Sequence, residues 1–246
     1  MGRSRISALL AALGVALATA ASASVSSSER VALIAICEST GGSAWTDSTR
    51  WGGVPGTECS WFGVRCDASQ STVTGLFLGD NNLSGTLPPA IGALANLTGL
   101  DLGWNDIGGA LPAQIAQLTK LAILDLSDNH FEGELSLPLL AIASLTSLRL
   151  GGNRFSGEIP PEIGQLLSLV ALDLSNNQLR GEAPSSFQSL TKLDDGALDV
   201  RYNAITISNG TLRSFLERKQ IGGDVLGSQT LPPTNRHGVS DERTRQ

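Results

Sequence analysis

The chain of 246 residues carries 23 acidic and 17 basic side chains, which gives a formal net charge of -6. This acidic balance argues against nucleic acid or an anionic membrane surface as the partner. Only two histidines are present, His130 and His237, and both lie far in sequence from the three cysteines, so we expect no metal site and no cofactor.

Residues 1–23 have the pattern of a secretory signal peptide. Arg3 and Arg5 precede an apolar run over residues 6–18, and small residues follow as far as an Ala-Ser-Ala cleavage site at residues 21–23. An uncleaved membrane anchor is the alternative, but a run of about 13 residues is shorter than the roughly 20 that span a bilayer. We therefore predict an exported chain, secreted or held in the periplasm or at the cell surface, with no stable membrane insertion after cleavage.

Residues 24–72 are predicted to form an N-terminal cap that begins with a helix. Ser26 and Glu29 have the spacing of a capping box, in which each side chain satisfies a backbone N–H group of the other residue. Apolar residues suited to a short helix follow, and the helix is expected to end at Gly41 and Gly42.

The rest of the cap combines aromatic rings with a pair of cysteines. Its three tryptophans are Trp45, Trp51 and Trp61. In an oxidising compartment Cys59 and Cys66 are the natural disulfide pair, which leaves Cys37 as a small buried residue of the helix or as a reactive thiol. Large rings beside a disulfide would seal the apolar end of the structure that follows.

Residues 73–222 repeat around six asparagines. They are Asn81, Asn105, Asn129, Asn153, Asn177 and Asn203. The first five are 24 residues apart, and the last follows after 26 residues. A fixed period of this length indicates a solenoid, because single units cannot bury their apolar faces and must stack. We expect the stacked amides to form a structural ladder that satisfies backbone groups at each turn.

Each repeat predicts one strand and one return segment. Apolar pairs two residues apart mark six short parallel strands: Leu76 and Leu78, Leu100 and Leu102, Leu124 and Leu126, Leu148 and Leu150, Leu172 and Leu174, and Leu198 and Val200. Apolar positions behind them, such as Ile91 and Ile115, also recur every 24 residues. The third coil lacks the usual Gly-x-x-Pro at Gly133–Ser136, where we expect a local change of turn and no break.

The last coil is longer by two residues, and we interpret this shift as the end of the solenoid. A closing helix is predicted next, with Leu212, Phe215 and Leu216 facing the last coil. Residues 223–246 are polar and rich in turn formers, which indicates an extended or disordered tail.

The frame LxxLxLxxNxLSGxIPxxIGxL resembles the plant-type extracellular leucine-rich repeat over about residues 28–222. The alanine-rich signal sequence and the closing FLERKQ and SQTLPPTN segments resemble bacterial secreted members more. The resemblance implies an α/β solenoid, a right-handed horseshoe with a parallel sheet on its concave face and short strands or 3₁₀ turns behind it. The helical, Trp-rich and disulfide-bonded cap fits this class, in which ligands commonly bind the concave side.

Residues between the paired leucines are expected to project from the concave sheet. In chain order they are Phe77, Asp101, Asp125, Arg149, Asp173 and Asp199. An acidic stripe of this kind could bind a basic partner or a cation. Alternatively, the aspartates are solvated or bonded locally. Strands stack about 4.8 Å apart, so Asp101 and Asp125 would repel each other, and Arg149 stands where it can relieve such repulsion.

The position before each ladder asparagine holds one unusual residue, Trp104, which the repeat frame directs towards the concave rim. Exposed aromatic rings often mark contact sites, although a ring lying flat on its neighbours is also plausible. The predicted ligand-binding residues of the concave face are Phe77, Asp101, Trp104, Asp125, His130, Arg149, Arg154, Asp173 and Tyr202.

The sequence does not favour an enzyme. It contains no GxSxG motif, no histidine cluster with metal spacing and no phosphate loop before a helix, and an open solenoid face would not desolvate a carboxylate pair. We predict a monomeric, exported module that binds a protein or polysaccharide ligand. One alternative is a structural or surface-associating repeat of the ice-binding kind. The other is an inhibitor of a cell-wall polysaccharide hydrolase, by resemblance to the plant inhibitors.

Overall fold

The computed structural model describes residues 24–225 and Gln229. The predicted signal peptide and most of the predicted tail lie outside these residues. Three α-helices are present among them: α1 (Ser27–Ser39), α2 (Leu137–Leu140) and α3 (Gly210–Lys219). Short 3₁₀ helices occupy Gly42–Ala44, Glu58–Ser60, Pro89–Ala93, Ala113–Gln117, Pro161–Gln165 and Ser185–Ser189.

Thirteen strands of the described residues form two sheets. In chain order they are β1 (Val64–Cys66), β2 (Val73–Phe77), β3 (Ser84–Thr86), β4 (Gly99–Asp101), β5 (Asp106–Ala110), β6 (Ile123–Asp125), β7 (His130–Glu134), β8 (Ser147–Arg149), β9 (Arg154–Gly157), β10 (Ala171–Asp173), β11 (Gln178–Glu182), β12 (Leu198–Asp199) and β13 (Ala204–Thr206). The first sheet has the order β1-β2-β4-β6-β8-β10-β12, and the second has the order β13-β11-β9-β7-β5-β3. Each coil therefore adds one strand to each sheet, which confirms the predicted solenoid.

The first sheet is the predicted concave sheet with one addition. Strands β2 to β12 pair in parallel, and the leucines of neighbouring strands face each other, as Leu124 does with Leu100 on one side and Leu148 on the other. These leucines are fully buried. Strand β1 pairs antiparallel with β2 and was not expected as a strand. It belongs to the cap and places one strand of the cap alongside the first coil.

The return segments pack behind the first sheet. Ile91, Ile115 and Ile163 are fully buried at corresponding positions of their coils. In the third coil α2 replaces the 3₁₀ helix of the other coils, and Leu139 and Ile142 remain buried. The expected local change of turn without a break is therefore confirmed, because the core residues keep their phase.

The asparagines form the predicted ladder. Asn129 donates through Nδ2 to the carbonyl oxygen of Leu102 at 2.8 Å and of Leu126 at 3.3 Å, and its Oδ1 accepts from the Ile107 amide at 3.0 Å. Asn153 repeats these contacts one coil later. Each asparagine side chain therefore bonds its own turn to the preceding coil. Because every coil needs one such side chain, the asparagines recur about once per coil.

The cap closes the N-terminal end as predicted. Ser26 and Glu29 form the capping box of α1, and Glu29 also accepts from the Val73 amide at 3.0 Å, which fastens the helix to β2. Cys59 and Cys66 form the disulfide. The ring centroids of the three tryptophans lie 4.9 Å apart for Trp45 and Trp51 and 5.0 Å apart for Trp51 and Trp61. Burial raises the pKa of the Cys37 thiol, which forms no disulfide, and Glu38 makes a further contribution.

The C-terminal end differs from the prediction. Helix α3 covers the last coil with Leu212 and Leu216 buried, as expected. However, Gln229 donates to the Val200 carbonyl oxygen at 3.0 Å and accepts from the Ile205 amide at 3.3 Å. Asn203 makes the corresponding contacts one coil earlier. The ladder therefore does not stop at the shift in spacing, because Gln229, a further 26 residues along the chain, supplies one more rung.

Candidate functional site

One column of outward-facing residues runs across the first sheet. Its strand register pairs neighbouring members in the order Phe77, Asp101, Asp125, Arg149, Asp173 and Asp199. The first five of these residues belong to the predicted binding set. The apolar residues on either side of each member point into the core, so the alternation of the strands places this column on the opposite, concave side.

The four aspartates of this column each close a local turn. One carboxylate oxygen accepts from the backbone amide two residues further on: Asp101 from Gly103 (3.0 Å), Asp125 from Ser127 (3.0 Å), Asp173 from Ser175 (2.8 Å) and Asp199 from Arg201 (3.0 Å). A repeated local hydrogen bond is the mark of a structural role. The contacts therefore favour the interpretation in which the aspartates are bonded locally.

The same carboxylates cover glycines of the preceding coil. A Cβ atom on Gly79 would lie 2.9 Å from Oδ1 of Asp101, and one on Gly151 would lie 2.7 Å from Oδ1 of Asp173. Side chains at these two glycine positions would displace the carboxylates. The glycines of the strand ends are thus explained by the packing of the acidic column.

Arg149 interrupts the acidic column and neutralises part of it. Its Nη1 atom lies 3.2 Å from Oδ2 of Asp125, and 54% of its side chain is exposed. Burial raises the pKa of Asp101, and the charge of Asp125 adds to this effect while the Gly103 amide and Arg149 oppose it. Burial likewise raises the pKa of Asp173. The predicted relief of repulsion is seen at Asp125.

The N-terminal end of the concave sheet is apolar. The Phe77 ring lies over the bare backbone of Gly75 and Gly99, and the Arg65 guanidinium lies 5.2 Å from the centre of that ring. Ile123, one residue before a core leucine, is 45% exposed. Ile123 is not one of the predicted site residues, although the other coils have glycine, serine or alanine at this position.

Trp104 is the most unusual residue of the turns that follow the strands of the first sheet. Its side chain is 66% exposed, and its backbone has a positive φ of 58°. Every residue at this turn position has a positive φ: Asp80, Trp104, Asp128, Gly152, Asn176 and Tyr202. The left-handed conformation explains why glycine, asparagine and aspartate prevail here, since these residues tolerate it best. Trp104 and Tyr202 depart from that preference.

Tyr202 is partly buried, unlike Trp104. The Arg201 guanidinium lies 5.8 Å from the centre of its ring, and Arg201 is also bonded to Asp199. The Tyr202 ring is therefore already in contact with a cation of the same chain, Arg201.

A shallow depression of about 220 Å³ opens near the C-terminal end of the concave sheet. Its floor includes Ala171 and Ala197, and Arg149, Asp173 and Ile221 lie around it. Ile221 is 43% exposed and follows α3, where no repeat pattern pointed to the concave face. The sequence alone contained no signal for this contribution.

His130 and Arg154 do not lie on the concave sheet, contrary to the prediction. They are the first residues of β7 and β9, which belong to the second sheet. Each follows a ladder asparagine directly, and the chain has already turned out of the first sheet at that point. Nδ1 of His130 lies 2.7 Å from Oδ1 of Asp106 on the neighbouring strand. These two residues therefore belong to a different surface from Trp104 and Arg149.

Within residues 24–225 and Gln229, no group of three or more His, Cys, Asp or Glu side chains is arranged to hold a metal ion. The helices in this part of the chain are all too short or too polar to cross a bilayer.

The repeats match known family models. The leucine-rich repeat model matches residues 72–94, 144–166 and 168–190, and a second leucine-rich repeat model matches residues 93–110. A probable leucine-rich repeat receptor-like protein kinase of Arabidopsis thaliana is 43% identical over 54 residues, which are 19% of this chain. The match spans 5% of that relative's length.

Solved structures resemble this fold over 70–76% of the chain. The leucine-rich repeat ectodomain of the receptor kinase SOBIR1 from Arabidopsis thaliana is 27% identical, with a TM-score of 0.64, over 76% of this chain and 98% of that one. The Arabidopsis receptor kinase HAESA, in complex with the peptide hormone IDA and the co-receptor SERK1, is 32% identical over 70% of this chain and 27% of that one, with a TM-score of 0.56. A plant ice-binding protein is 27% identical over 74% and 65%, with a TM-score of 0.55.

Proposed function

We propose that this leucine-rich repeat solenoid is an exported, non-enzymatic binding module that recognises a ligand through its concave face. Its fold is of the kind found in plant receptor ectodomains. A protein or peptide ligand fits best, and a polysaccharide is the other ligand class. The observation that carries this proposal is the exposure of Trp104. Its large apolar ring stands at a position of positive φ, where glycine, asparagine or aspartate would put less strain on the backbone.

The surroundings of Trp104 support a binding surface. Most of the acidic column is engaged in local turns, whereas Trp104, Arg149 and Ile123 each expose about half or more of their side chains. Aromatic and arginine side chains commonly supply most of the binding energy at protein interfaces. The similarity to HAESA, which was solved with a peptide hormone, adds weight to a protein or peptide ligand.

The test is capture of ligands from extracellular or envelope material. The wild type is compared with a Trp104→Ala/Arg149→Glu double variant, and thermal unfolding checks that the variant is folded. We expect one saturable ligand that the wild type retains and the double variant loses by at least about tenfold, since truncating such anchor residues typically costs over 1 kcal/mol.

The matched control is Arg154→Glu. This substitution reverses the same charge on an exposed arginine, but in the second sheet. We expect it to leave ligand capture unchanged. Equal loss in both variants would show that the overall charge, and not the concave face, determines binding.

A second candidate is a repeat that adsorbs to ice or another extended surface. The similarity to a plant ice-binding protein favours it. Several outward residues of the second sheet are charged and exposed, among them Glu132, Glu134 and Arg180, which makes that sheet a poor adsorbing face. An ice-recrystallisation assay decides the matter. Activity that persists in the Trp104→Ala/Arg149→Glu variant, without any saturable ligand, would replace the proposed function.

A further inference from the structure

The shallow depression of the concave sheet has an apolar floor and an apolar wall. Ala171 and Ala197 lie side by side in the floor, because the leucines that follow them are paired in register. Ile221, which is 43% exposed, forms the wall. The volume of about 220 Å³ is smaller than the roughly 300–1,000 Å³ of sites that enclose a whole small molecule. The depression therefore suits one side chain of a larger ligand.

The charged residues of the depression are balanced with one exception. Arg149 is paired with Asp125, whose Oδ2 atom lies 3.2 Å from Nη1 of the guanidinium. Asp199 is paired with Arg201 at 2.6 Å. Within residues 24–225 and Gln229, no arginine, lysine or histidine forms an ion pair with Asp173. Asp173 thus supplies the depression with a carboxylate whose charge the described chain does not balance.

The Asp173 carboxylate keeps one oxygen for a ligand. Its Oδ1 atom accepts from the Ser175 amide at 2.8 Å, and Ser175 is the one residue in the described part of the chain that hydrogen bonds with this carboxylate. The carboxylate lies above Gly151, which has no side chain to cover it. Burial raises the pKa of Asp173 against the opposing hydrogen bonds from Ser175, and two neighbouring carboxylates add to the rise. A cation bound at Oδ2 would favour the ionised form.

Resting on the proposed function, we propose that this depression receives the lysine side chain of a protein or peptide ligand. The aliphatic stem lies on Ala171 and Ala197 beside Ile221, and the ammonium group donates to Oδ2 of Asp173. Lysine combines an apolar stem with a compact charge. The floor and the carboxylate present the same combination, two residues or about 6.6 Å apart along β10. An acidic side chain would be repelled, and a purely apolar one would leave the carboxylate unbalanced, so complementary charge selects lysine.

Arginine fits this geometry less well than lysine. A guanidinium group binds a carboxylate best through two parallel hydrogen bonds, one to each oxygen. Oδ1 of Asp173 is already bonded to Ser175, which leaves one oxygen for the ligand. The depression therefore suits the point charge of an ammonium group.

The experiment uses blocked tripeptides that differ only at their central residue. Glycine stands on either side, and the central residue is lysine, Nε-acetyl-lysine, arginine or glutamate. The readout is the set of backbone ¹H–¹⁵N signals of Ala171, Ala197 and Ile221. We expect saturable shifts with the lysine peptide and an affinity at least about fivefold lower for the acetylated peptide, which keeps the stem without the charge. The glutamate peptide should give no shift. No saturable shift with lysine, equal binding of the acetylated peptide or tighter binding of the arginine peptide would overturn the proposal.

The ¹³Cγ signal of Asp173 reports the ammonium contact itself. A bound ammonium group stabilises the ionised carboxylate, so the raised pKa of Asp173 should fall toward its ordinary value when the lysine peptide is saturating. By linkage, the lysine peptide should bind more weakly as the pH falls through the pKa of Asp173. The acetylated peptide should leave this pKa unchanged. An unchanged pKa with the lysine peptide would contradict the contact.

Asp173→Asn removes the charge and keeps the shape of the side chain. Its amide oxygen can still accept from Ser175, so this variant should fold. Glu134→Gln removes one exposed carboxylate of the second sheet and is the matched control. We expect the lysine peptide to bind Asp173→Asn about fivefold more weakly and the control within about twofold of the wild type. Equal weakening in both variants would show general attraction to an acidic protein and reject the site.

Ile221→Ser tests the contact with the stem. Leu167→Ser is its control, because Leu167 is 57% exposed and lies outside the depression. We expect about threefold weaker binding of the lysine peptide in Ile221→Ser and no change in Leu167→Ser, and an unchanged Ile221→Ser would reject the apolar wall. If the Trp104→Ala/Arg149→Glu test identifies a ligand but the peptide measurements are negative, the binding function stands and the recognition of lysine does not. Peptide binding without any captured ligand would contradict the proposed function alone.

Discussion

Trp104 and Gly152 occupy the same turn position in their coils and share a left-handed backbone, with φ of 58° and 69°. For glycine this conformation carries no steric cost, whereas a side chain with a Cβ atom loses roughly 1–2 kcal/mol. Asn176 shows the usual compromise, because asparagine tolerates the left-handed region. The indole of Trp104 is mostly exposed, so little packing energy offsets this cost.

We therefore expect Trp104→Asn to stabilise the protein by roughly 0.5–1 kcal/mol while it weakens ligand binding. Urea unfolding gives the change in the free energy of unfolding. Trp104→Val serves as the comparison, because a β-branched residue is least suited to positive φ and should destabilise. A loss of more than about 1 kcal/mol in Trp104→Asn would mean that the ring packs on its neighbours and has a structural role.

Asp173 and Asp199 are paired in register, but their pKa values move in opposite directions. Burial raises the pKa of Asp173, and its hydrogen bonds with Ser175 do not compensate. Burial also acts to raise the pKa of Asp199, but hydrogen bonds from Arg201 and from the Gln220 side chain outweigh burial and lower it. The first carboxylate therefore opposes folding when ionised, and the second supports folding when ionised.

The two carboxylates should give opposite pH profiles when each is replaced by asparagine. Asp173 contributes stability below the ordinary aspartate pKa of about 3.9, and this contribution is lost as the pH rises through the raised pKa of Asp173 in the folded protein. Asp173→Asn should therefore be more stable than the wild type at neutral pH, and this difference should disappear near pH 3. The stability linked to Asp199 is present above about pH 3.9 and is lost as pH falls through its lowered value. Asp199→Asn should therefore be less stable at neutral pH, with a deficit that narrows in acid. Thermal unfolding between pH 3 and 7 measures both, and parallel profiles would contradict the assignment.

At the scale of elements, local signals in the sequence were sufficient for some structures and not for others. The capping box identified the start of α1, and the period of two around paired leucines identified the strands of the first sheet. Both signals lie within a few consecutive residues. The disulfide was also predictable, since Cys59 and Cys66 are close in sequence.

The second sheet could not be predicted strand by strand. Strand β3 consists of Ser84–Thr86 and exposes all of its side chains, so no apolar alternation marks it. It exists because its backbone pairs with β5 in the next coil. The same lack of a local signal misplaced His130 and Arg154, whose strands are defined by pairing between coils.

The candidate site was predictable only in part. Trp104 could be identified because most other coils have a small or polar residue at the same turn position. The outward-facing residues from Phe77 to Asp173 could be identified because they recur every 24 residues. Ile221 could not, because it reaches the concave side through α3 and the returning chain. The sequence also could not establish that the aspartates accept local hydrogen bonds, because these bonds depend on the geometry of each turn.

The whole molecule has to close a solenoid at two ends, and it does so by different means. At the N-terminal end no coil precedes Asn81, and the backbone of Asp47 bonds to it instead. The Asp47 amide donates to Asn81 Oδ1 at 2.6 Å, and Asn81 Nδ2 donates to the Asp47 carbonyl oxygen at 2.9 Å. At the C-terminal end, the ladder is extended by Gln229, and Gln220 pairs beside Leu198. In a stacked array each coil contacts only its neighbours, so damage at one end should remain local.

Gln229→Ala tests whether this last rung supports the solenoid. The substitution leaves the Ile205 amide and the Val200 carbonyl oxygen without the contacts that Gln229 provides, and we expect a loss of roughly 1 kcal/mol in the free energy of unfolding. Hydrogen exchange shows where in the solenoid the effect of Gln229→Ala lies.

The Ile205 amide should exchange faster in this variant, while the Leu179 amide, which donates to Asn203 at 3.0 Å, should keep its protection. Asn203→Ala is the matched interior variant and should expose Leu179 instead, at a cost of about 1–3 kcal/mol. If both variants accelerate both amides equally, the last two coils unfold as one unit and Gln229 is not a separate rung.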